Sequence, residues 1–169
     1  LPPRELGGGL GEVIKYGCIY SDELFESIES STPSDFSEII RSCCAIKAGI
    51  VARDEFDHGE RALLNFGHSF GHALESYYHY QKFNHGEAVG LGMIIAARLG
   101  ESLGLTAAGT GERIVGALKA NNLVTILPCS PLDLLPLMAA DKKCQSRGIR
   151  LVMLEKIGKA FTRDFSFRD

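Results

Sequence analysis

Across the first two-thirds of the chain, apolar residues recur every third and fourth position within segments too long for strands. That spacing restricts the fold to one built mainly from α-helices. The glycine run at 7–11 predicts a tight backbone turn before a helix over 12–20, and a short helix follows over 22–28. Thr32 and Pro33 read as an N-cap followed by proline at the first helical position, and Phe36, Ile39, Ile40, Cys43, Cys44, Ile50 and Val51 then trace an apolar face to about Asp54. Further helices are expected over 61–78, 86–103 (with Gly104 as its stop), 110–121 and 132–140, the last opened by Ser130 and Pro131. Beyond Gly148 the period changes. Segments 149–154 and 160–165, separated by a turn at Lys156, Ile157 and Gly158, predict a small β-hairpin appended to a multi-helix domain spanning 1–169.

Composition narrows the function classes. With 169 residues, 45% of them hydrophobic, and a mean hydropathy of +0.03, the chain can bury a core, which excludes a disordered or low-complexity segment. The longest uncharged apolar stretch, 88–97, ends at Arg98, short of the roughly 20 residues a membrane-spanning helix needs. A formal net charge of −3, with no basic run beyond Lys142 and Lys143, leaves no electrostatic footprint for nucleic acid or anionic lipid, so the expected partner is a small molecule or a protein. Cys18, Cys43, Cys44, Cys129 and Cys144 are odd in number and form no CxxC pair, which fits a reducing cytoplasm better than a disulfide framework. The chain opens on Leu1 with none of the features of a signal peptide, and we read it as a domain cut from a longer chain.

The chemistry concentrates between Arg61 and His72. At about 100° per residue, Arg61, Asn65, His68 and His72 fall within roughly 60° of arc on one expected helix, a face carrying a cation, an amide and two imidazoles. Such a face is either a solvated surface or a site. Gly67 and Gly71, each unfavourable in a helix interior by roughly 1 kcal/mol, suggest close approach of another backbone or a ligand. Two imidazoles one turn apart can reach one metal ion, but Ser69 stands where the HExxH pattern requires its glutamate, which argues against a metalloprotease. His85 adds an imidazole at the mouth of the next helix, where a cap or surface residue is the alternative. Glu12 and Lys15, taken alone, are an ordinary pair three residues apart. No complete GxGxxG is present, because Glu12 occupies the third glycine position after Gly7 and Gly9.

Three segments in order, Gly-Leu-Gly-Glu-Val-Ile-Lys-Tyr-Gly at 9–17, Asn-Phe-Gly-His-Ser-Phe-Gly-His at 65–72 and His-Gly-Glu-Ala-Val-Gly-Leu-Gly-Met at 85–93, closely resemble the C-terminal domain of 3-dehydroquinate synthase. The resemblance covers effectively the whole chain. It implies a catalytic Zn²⁺ (or Co²⁺) held by Glu12, His68 and His85, with open positions for substrate hydroxyls. His72 matches a residue that faces substrate. Lys15, Lys47, Arg61 and Asn65 match positions around the substrate's carboxylate, hydroxyls and phosphate, and one of Lys142 and Lys143 matches a phosphate-contacting lysine.

The implied activity is that of a carbon-oxygen lyase of the shikimate pathway and aromatic amino-acid biosynthesis. It converts 3-deoxy-arabino-heptulosonate 7-phosphate, a sugar-acid phosphate, to 3-dehydroquinate and phosphate through transient oxidation by NAD⁺. The family binds NAD⁺ mainly with an N-terminal domain expected upstream of Leu1, so this chain alone should be inactive. Dimers are common in the family, and a homodimer is expected by analogy. Related sugar-phosphate cyclases of the 2-deoxy-scyllo-inosose synthase type, a metal-dependent polyol dehydrogenase of the glycerol dehydrogenase type, and a stand-alone helical binding module are the competing readings.

Overall fold

A computed structural model describes residues 1–56, 59–140 and 148–166. The helices are α1 (Pro3–Tyr20), α2 (Asp22–Glu29), α3 (Ser37–Arg53), α4 (His68–Tyr77), α5 (His85–Ser102), α6 (Thr110–Ala120) and α7 (Leu135–Ala140). Short 3₁₀ helices at Glu60–Asn65 and Pro131–Leu134 precede α4 and α7. Strands β1 (Gly148–Lys156) and β2 (Lys159–Ser166) pair antiparallel as a hairpin, with Ile149 opposite Phe165 and Met153 opposite Phe161. The mainly helical class and the terminal hairpin agree with the sequence reading.

Helix α5 is the axis of the domain. Ala88, Val89, Leu91, Met93, Ile94, Ala96 and Ala97 are all buried, so it is covered on nearly every side, as a helix apolar all round must be. It packs against α1, α4, α6 and β1. A capping box opens it: the Asn84 side chain accepts from the Glu87 amide at 2.9 Å, and the Glu87 carboxylate accepts from the Asn84 amide at 2.9 Å. The same Glu87 takes a two-pronged contact from Arg4 at 3.1 and 2.7 Å, fastening the start of α1 to the start of α5.

A hairpin of two strands is marginal by itself. Here Leu151, Val152, Met153 and Leu154 are buried against the helices. Thr106 donates its hydroxyl to the Leu154 carbonyl at 2.6 Å, and the Gly158 amide donates to the Cys18 carbonyl at 2.9 Å.

Four sequence expectations need correction, the simplest being the helix expected over 132–140, whose first turn is the 3₁₀ helix Pro131–Leu134 and whose α-helical part begins only at Leu135. The glycine run does not turn the chain; α1 begins at Pro3 and passes straight through it, opened by proline in the first turn. The helix expected from Thr32 and Pro33 begins only at Ser37, where the Asp35 carboxylate accepts from the Ser37 amide at 2.9 Å and the Ser37 hydroxyl at 2.8 Å. The helix expected over 61–78 is two elements, a 3₁₀ helix and α4, divided at Phe66 and at Gly67, whose φ of +78° is left-handed. Arg61 and Asn65 therefore do not share a helix face with His68 and His72.

Candidate metal centre

Two backbone crossings build the centre. Where α1 meets α5, a Cβ on Gly86 would strike the Gly8 carbonyl oxygen, and one on Gly11 would lie 2.8 Å from the Gly86 carbonyl oxygen. Only glycine lets the two helix backbones approach this closely, and the approach brings Glu12, one residue past Gly11, beside His85 at the first position of α5. On the other side, a Cβ on Gly92 would strike the Gly67 carbonyl oxygen, so the start of α4 is seated on α5 and His68, its first residue, turns toward the same point. Close approach at Gly67, Gly71 and Gly92 is the structural reason for the glycines noted in the sequence, although Gly67 caps α4 rather than lying inside it.

Glu12 Oε1 lies 3.7 Å from His68 Nε2 and 3.8 Å from His85 Nε2. Each imidazole is oriented by its other nitrogen: His68 Nδ1 lies 3.2 Å from the Phe66 carbonyl oxygen and His85 Nδ1 lies 3.1 Å from Glu75 Oε1. Both partners are acceptors, which puts the ring proton on Nδ1 and leaves the two Nε2 lone pairs facing Glu12. Glu12 Oε1 is buried and has no hydrogen-bond partner among the described residues. A buried polar atom left so costs roughly 1–3 kcal/mol, more when charged. Three converging acceptors with no hydrogen between them call for a cation. A tetrahedral zinc site with bonds of about 2.0–2.1 Å sets its ligand atoms about 3.3 Å apart, about half an ångström inside the two separations from Glu12.

The other carboxylate oxygen, Glu12 Oε2, accepts from Lys15 Nζ at 2.6 Å, and the Lys15 side chain is only 4% exposed. Burial pushes the Glu12 carboxyl upward, but the Lys15 charge and hydrogen bond outweigh it and hold the group below its ordinary value. Burial, reinforced by the Lys15 charge, pushes the His68 imidazole down to about 4, so it is neutral at physiological pH, the form that can coordinate a metal.

The remaining expected residues are distributed around this cluster. His72 is exposed one turn beyond His68; its ring stands edge-on to His68 at 5.5 Å and stacks on His85 at 5.9 Å between centroids. Arg61 and Asn65 lie on the 3₁₀ helix, which packs against α1 and α3, and the Arg61 guanidinium donates to the Glu55 carbonyl at 3.0 Å. Lys47 is exposed on α3. Lys142 and Lys143 lie outside the described residues. Glu75 was not singled out from the sequence, yet it is the partner of His85; its signal was positional, three residues after His72 and seven after His68 on one helical face. His72, Glu75 and His85 also form a second group whose candidate ligand atoms lie within 4.8 Å of one another.

Residues 9–144 match the family described as 3-dehydroquinate synthase C-terminal. A 3-dehydroquinate synthase of Clostridium perfringens strain SM101 is 42% identical over 167 residues, covering 95% of this chain and 48% of the relative. One from Acinetobacter baylyi is 44% identical over 168 residues, covering 95% and 46%. Among solved structures, the 2-epi-5-epi-valiolone synthase ValA from Streptomyces hygroscopicus subsp. jinggangensis 5008, with NAD⁺ and Zn²⁺ bound, aligns with a TM-score of 0.83 at 26% identity, over 99% of this chain and 49% of that one. A 2-deoxy-scyllo-inosose synthase complexed with carbaglucose-6-phosphate, NAD⁺ and Co²⁺ aligns with a TM-score of 0.82 at 21% identity, over 98% and 50%. The chain spans about half the length of the curated relatives it matches. From the family match across most of its length and from these relatives, the chain belongs to the 3-dehydroquinate synthase C-terminal family.

Proposed function

We propose that this chain is the metal- and substrate-binding half of a 3-dehydroquinate synthase, converting 3-deoxy-arabino-heptulosonate 7-phosphate to 3-dehydroquinate and phosphate. The observation that carries the reading is Glu12 Oε1, a buried carboxylate oxygen without a hydrogen-bond partner among the described residues, faced at 3.7 and 3.8 Å by two imidazole nitrogens. Glu12, His68 and His85 would hold Zn²⁺ or Co²⁺ and leave positions open to substrate, as catalytic sites with three protein ligands do. When bound, the metal supplies Lewis acidity at a substrate hydroxyl, and NAD⁺, bound by the half that the relatives carry beyond this chain, supplies the hydride acceptor.

The chain's own residues then bind and orient. Lys15 keeps Glu12 ionised through its 2.6 Å contact. His72, whose exposed ring stacks on His85, is the residue we assign to face substrate and hold a substrate proton, a role that the family resemblance supports. Lys47, Arg61 and Asn65, on the elements flanking α1, with one of Lys142 and Lys143, supply the cations and the amide that a ligand bearing both carboxylate and phosphate requires. The same reading carries a cytoplasmic location, supported by the free thiols of Cys18, Cys43, Cys44 and Cys129, and a homodimer, which rests on family analogy. Identities of 42 and 44% to dehydroquinate synthases, against 21 and 26% to the two cyclases, favour this substrate over theirs.

The test joins this chain to the N-terminal half of the Acinetobacter baylyi relative and measures phosphate release with NAD⁺, Zn²⁺ and substrate. The joined protein is expected to turn over, and this chain alone, or the joined His68→Ala variant, is not. Turnover by the chain alone, or undiminished turnover by His68→Ala, would overturn the reading.

A further inference from the structure

Glu75 belongs to no part of the proposed ligand set, and its position is informative. It lies on α4, two turns beyond His68, with its side chain 12% exposed, while its partner His85 is 49% exposed. His85 heads α5, so its own backbone offers no preceding helical turn to pack the ring against, and solvent faces half of it. His68, by contrast, is 14% exposed and is oriented by the Phe66 carbonyl two residues away. The least confined of the three candidate ligands is thus held by a carboxylate from a different helix. The contact is 3.1 Å from Glu75 Oε1 to His85 Nδ1, leaving Nε2 as the atom 3.8 Å from Glu12.

We infer that Glu75 is the positioning residue of the metal centre: by accepting the Nδ1 proton of His85 it selects the ring's tautomer and rotamer and so aims Nε2 at the point shared by Glu12 and His68. The inference rests on the proposed metal centre. A charged acceptor on the far nitrogen also makes the near nitrogen a stronger donor to a cation, which is how outer carboxylates act on histidine ligands generally. Without Glu75, the half-exposed ring is free to rotate or to carry its proton on Nε2, where it would face Glu12 as a hydrogen-bond donor and block the site. The competing use of the same atoms is the triangle of His72, Glu75 and His85 as a metal site in its own right. In that arrangement Glu75 would be a ligand and His68 would be dispensable.

The experiment measures Zn²⁺ affinity by competition with a chelator, together with the visible absorption of the Co²⁺-loaded chain, for wild type, Glu75→Met, Glu75→Ala, His72→Ala and His68→Ala. Thermal unfolding in excess chelator reports whether each variant keeps the fold. Glu75→Met nearly preserves size and removes the acceptor, so it carries the test if Glu75→Ala fails to fold. The expected result is a loss of about 10- to 100-fold in Zn²⁺ affinity for Glu75→Met, the range for disturbed outer-shell partners. Its Co²⁺ spectrum should be altered and its metal-free fold retained, with His72→Ala like wild type and His68→Ala nearly devoid of metal. Affinity and spectrum of Glu75→Met matching wild type, with His68→Ala still losing metal, overturns the positioning role alone. Retention of metal by His68→Ala, with losses in His72→Ala and Glu75→Met, places the ion in the other triangle and overturns both readings.

Discussion

Replacing Gly86 with alanine tests whether the contact between α1 and α5 sets the geometry of the cluster. The added Cβ would lie 2.5 Å from the Gly8 Cα and carbonyl carbon, besides striking the carbonyl oxygen. Carbon atoms not bonded to each other need about 3.5 Å, so the backbones must part by about 1 Å at this point. The three nearest atoms are all main chain, so no side chain can swing away to relieve these contacts. Overpacking of this kind costs about 1–3 kcal/mol, which for a domain of this size lowers Tm by roughly 2–12 °C.

Parting the helices also carries Glu12 away from His85, whose facing atoms are 3.8 Å apart at present. Zn²⁺ affinity should fall about 10- to 100-fold, as for a disturbed supporting shell. Gly9→Ala is the control, since a Cβ there meets nothing within 4 Å. In an exposed helical position it should raise stability by roughly 0.5–1 kcal/mol and leave metal affinity alone. Differential scanning calorimetry in chelator and a competition titration measure the two quantities. A Gly86→Ala chain with wild-type Tm and wild-type affinity would refute the reasoning.

Two further outcomes follow from charged and buried groups away from the cluster. Glu29 takes a two-pronged contact from Arg113 at 2.8 and 2.8 Å, which holds its carboxyl below the ordinary value of 4.5 against the opposing effect of burial. The stability it lends is therefore present above pH 4.5 and lost as pH falls through the depressed folded value; the Tm difference between wild type and Glu29→Gln should be constant from pH 8 to about pH 5 and shrink below it, and a difference that grows in acid would contradict this. Burial raises the Cys18 thiol strongly and pushes the Cys43 thiol up to about 11, whereas Cys44 is exposed, so peptide mapping after brief alkylation of the folded chain at pH 8 should find, of these three, Cys44 modified first, Cys43 later and Cys18 intact until denaturant is added.

The helices legible in the sequence were those whose apolar spacing was uninterrupted. For α5 and α6 the period of 3.6 and the end residues located the elements to within about a residue, and in the hairpin the change of pattern beyond Gly148 located the strands to within two, since β1 runs on to Lys156. Glycine defeated the reading in two places for opposite reasons. Gly7 to Gly9 look like a turn by intrinsic propensity, yet they are helical because α1 must lie against α5, a tertiary demand that no local rule contains. Gly67 looks like a helix interior by periodicity, yet its φ of +78° ends one element and starts another.

The angular arithmetic that joined Arg61 and Asn65 to His68 assumed one unbroken helix. Glu12, His68 and His85 are separated by 56 and 17 positions, so nothing in spacing alone could unite them; only family resemblance singled them out together, and the crossings at Gly86 and Gly92 supply the physical cause. Glu75 lay in plain view on the His68 face, but a lone glutamate in a helix carries no mark until its partner on the next helix is known.

The contact between Lys15 and the second oxygen of Glu12 bears on how such a protein lives in a cell. A zinc finger without its ion has nothing to hold its ligands and unravels. Here the carboxylate keeps a built-in counter-charge, and the helices that carry the ligands are joined by main-chain contact and by Arg4 to Glu87. If the proposed centre holds its ion, the emptied chain should therefore stay folded and ready to be refilled. Supply of the ion, rather than synthesis or refolding of the polypeptide, would then set how much of it is competent at any moment.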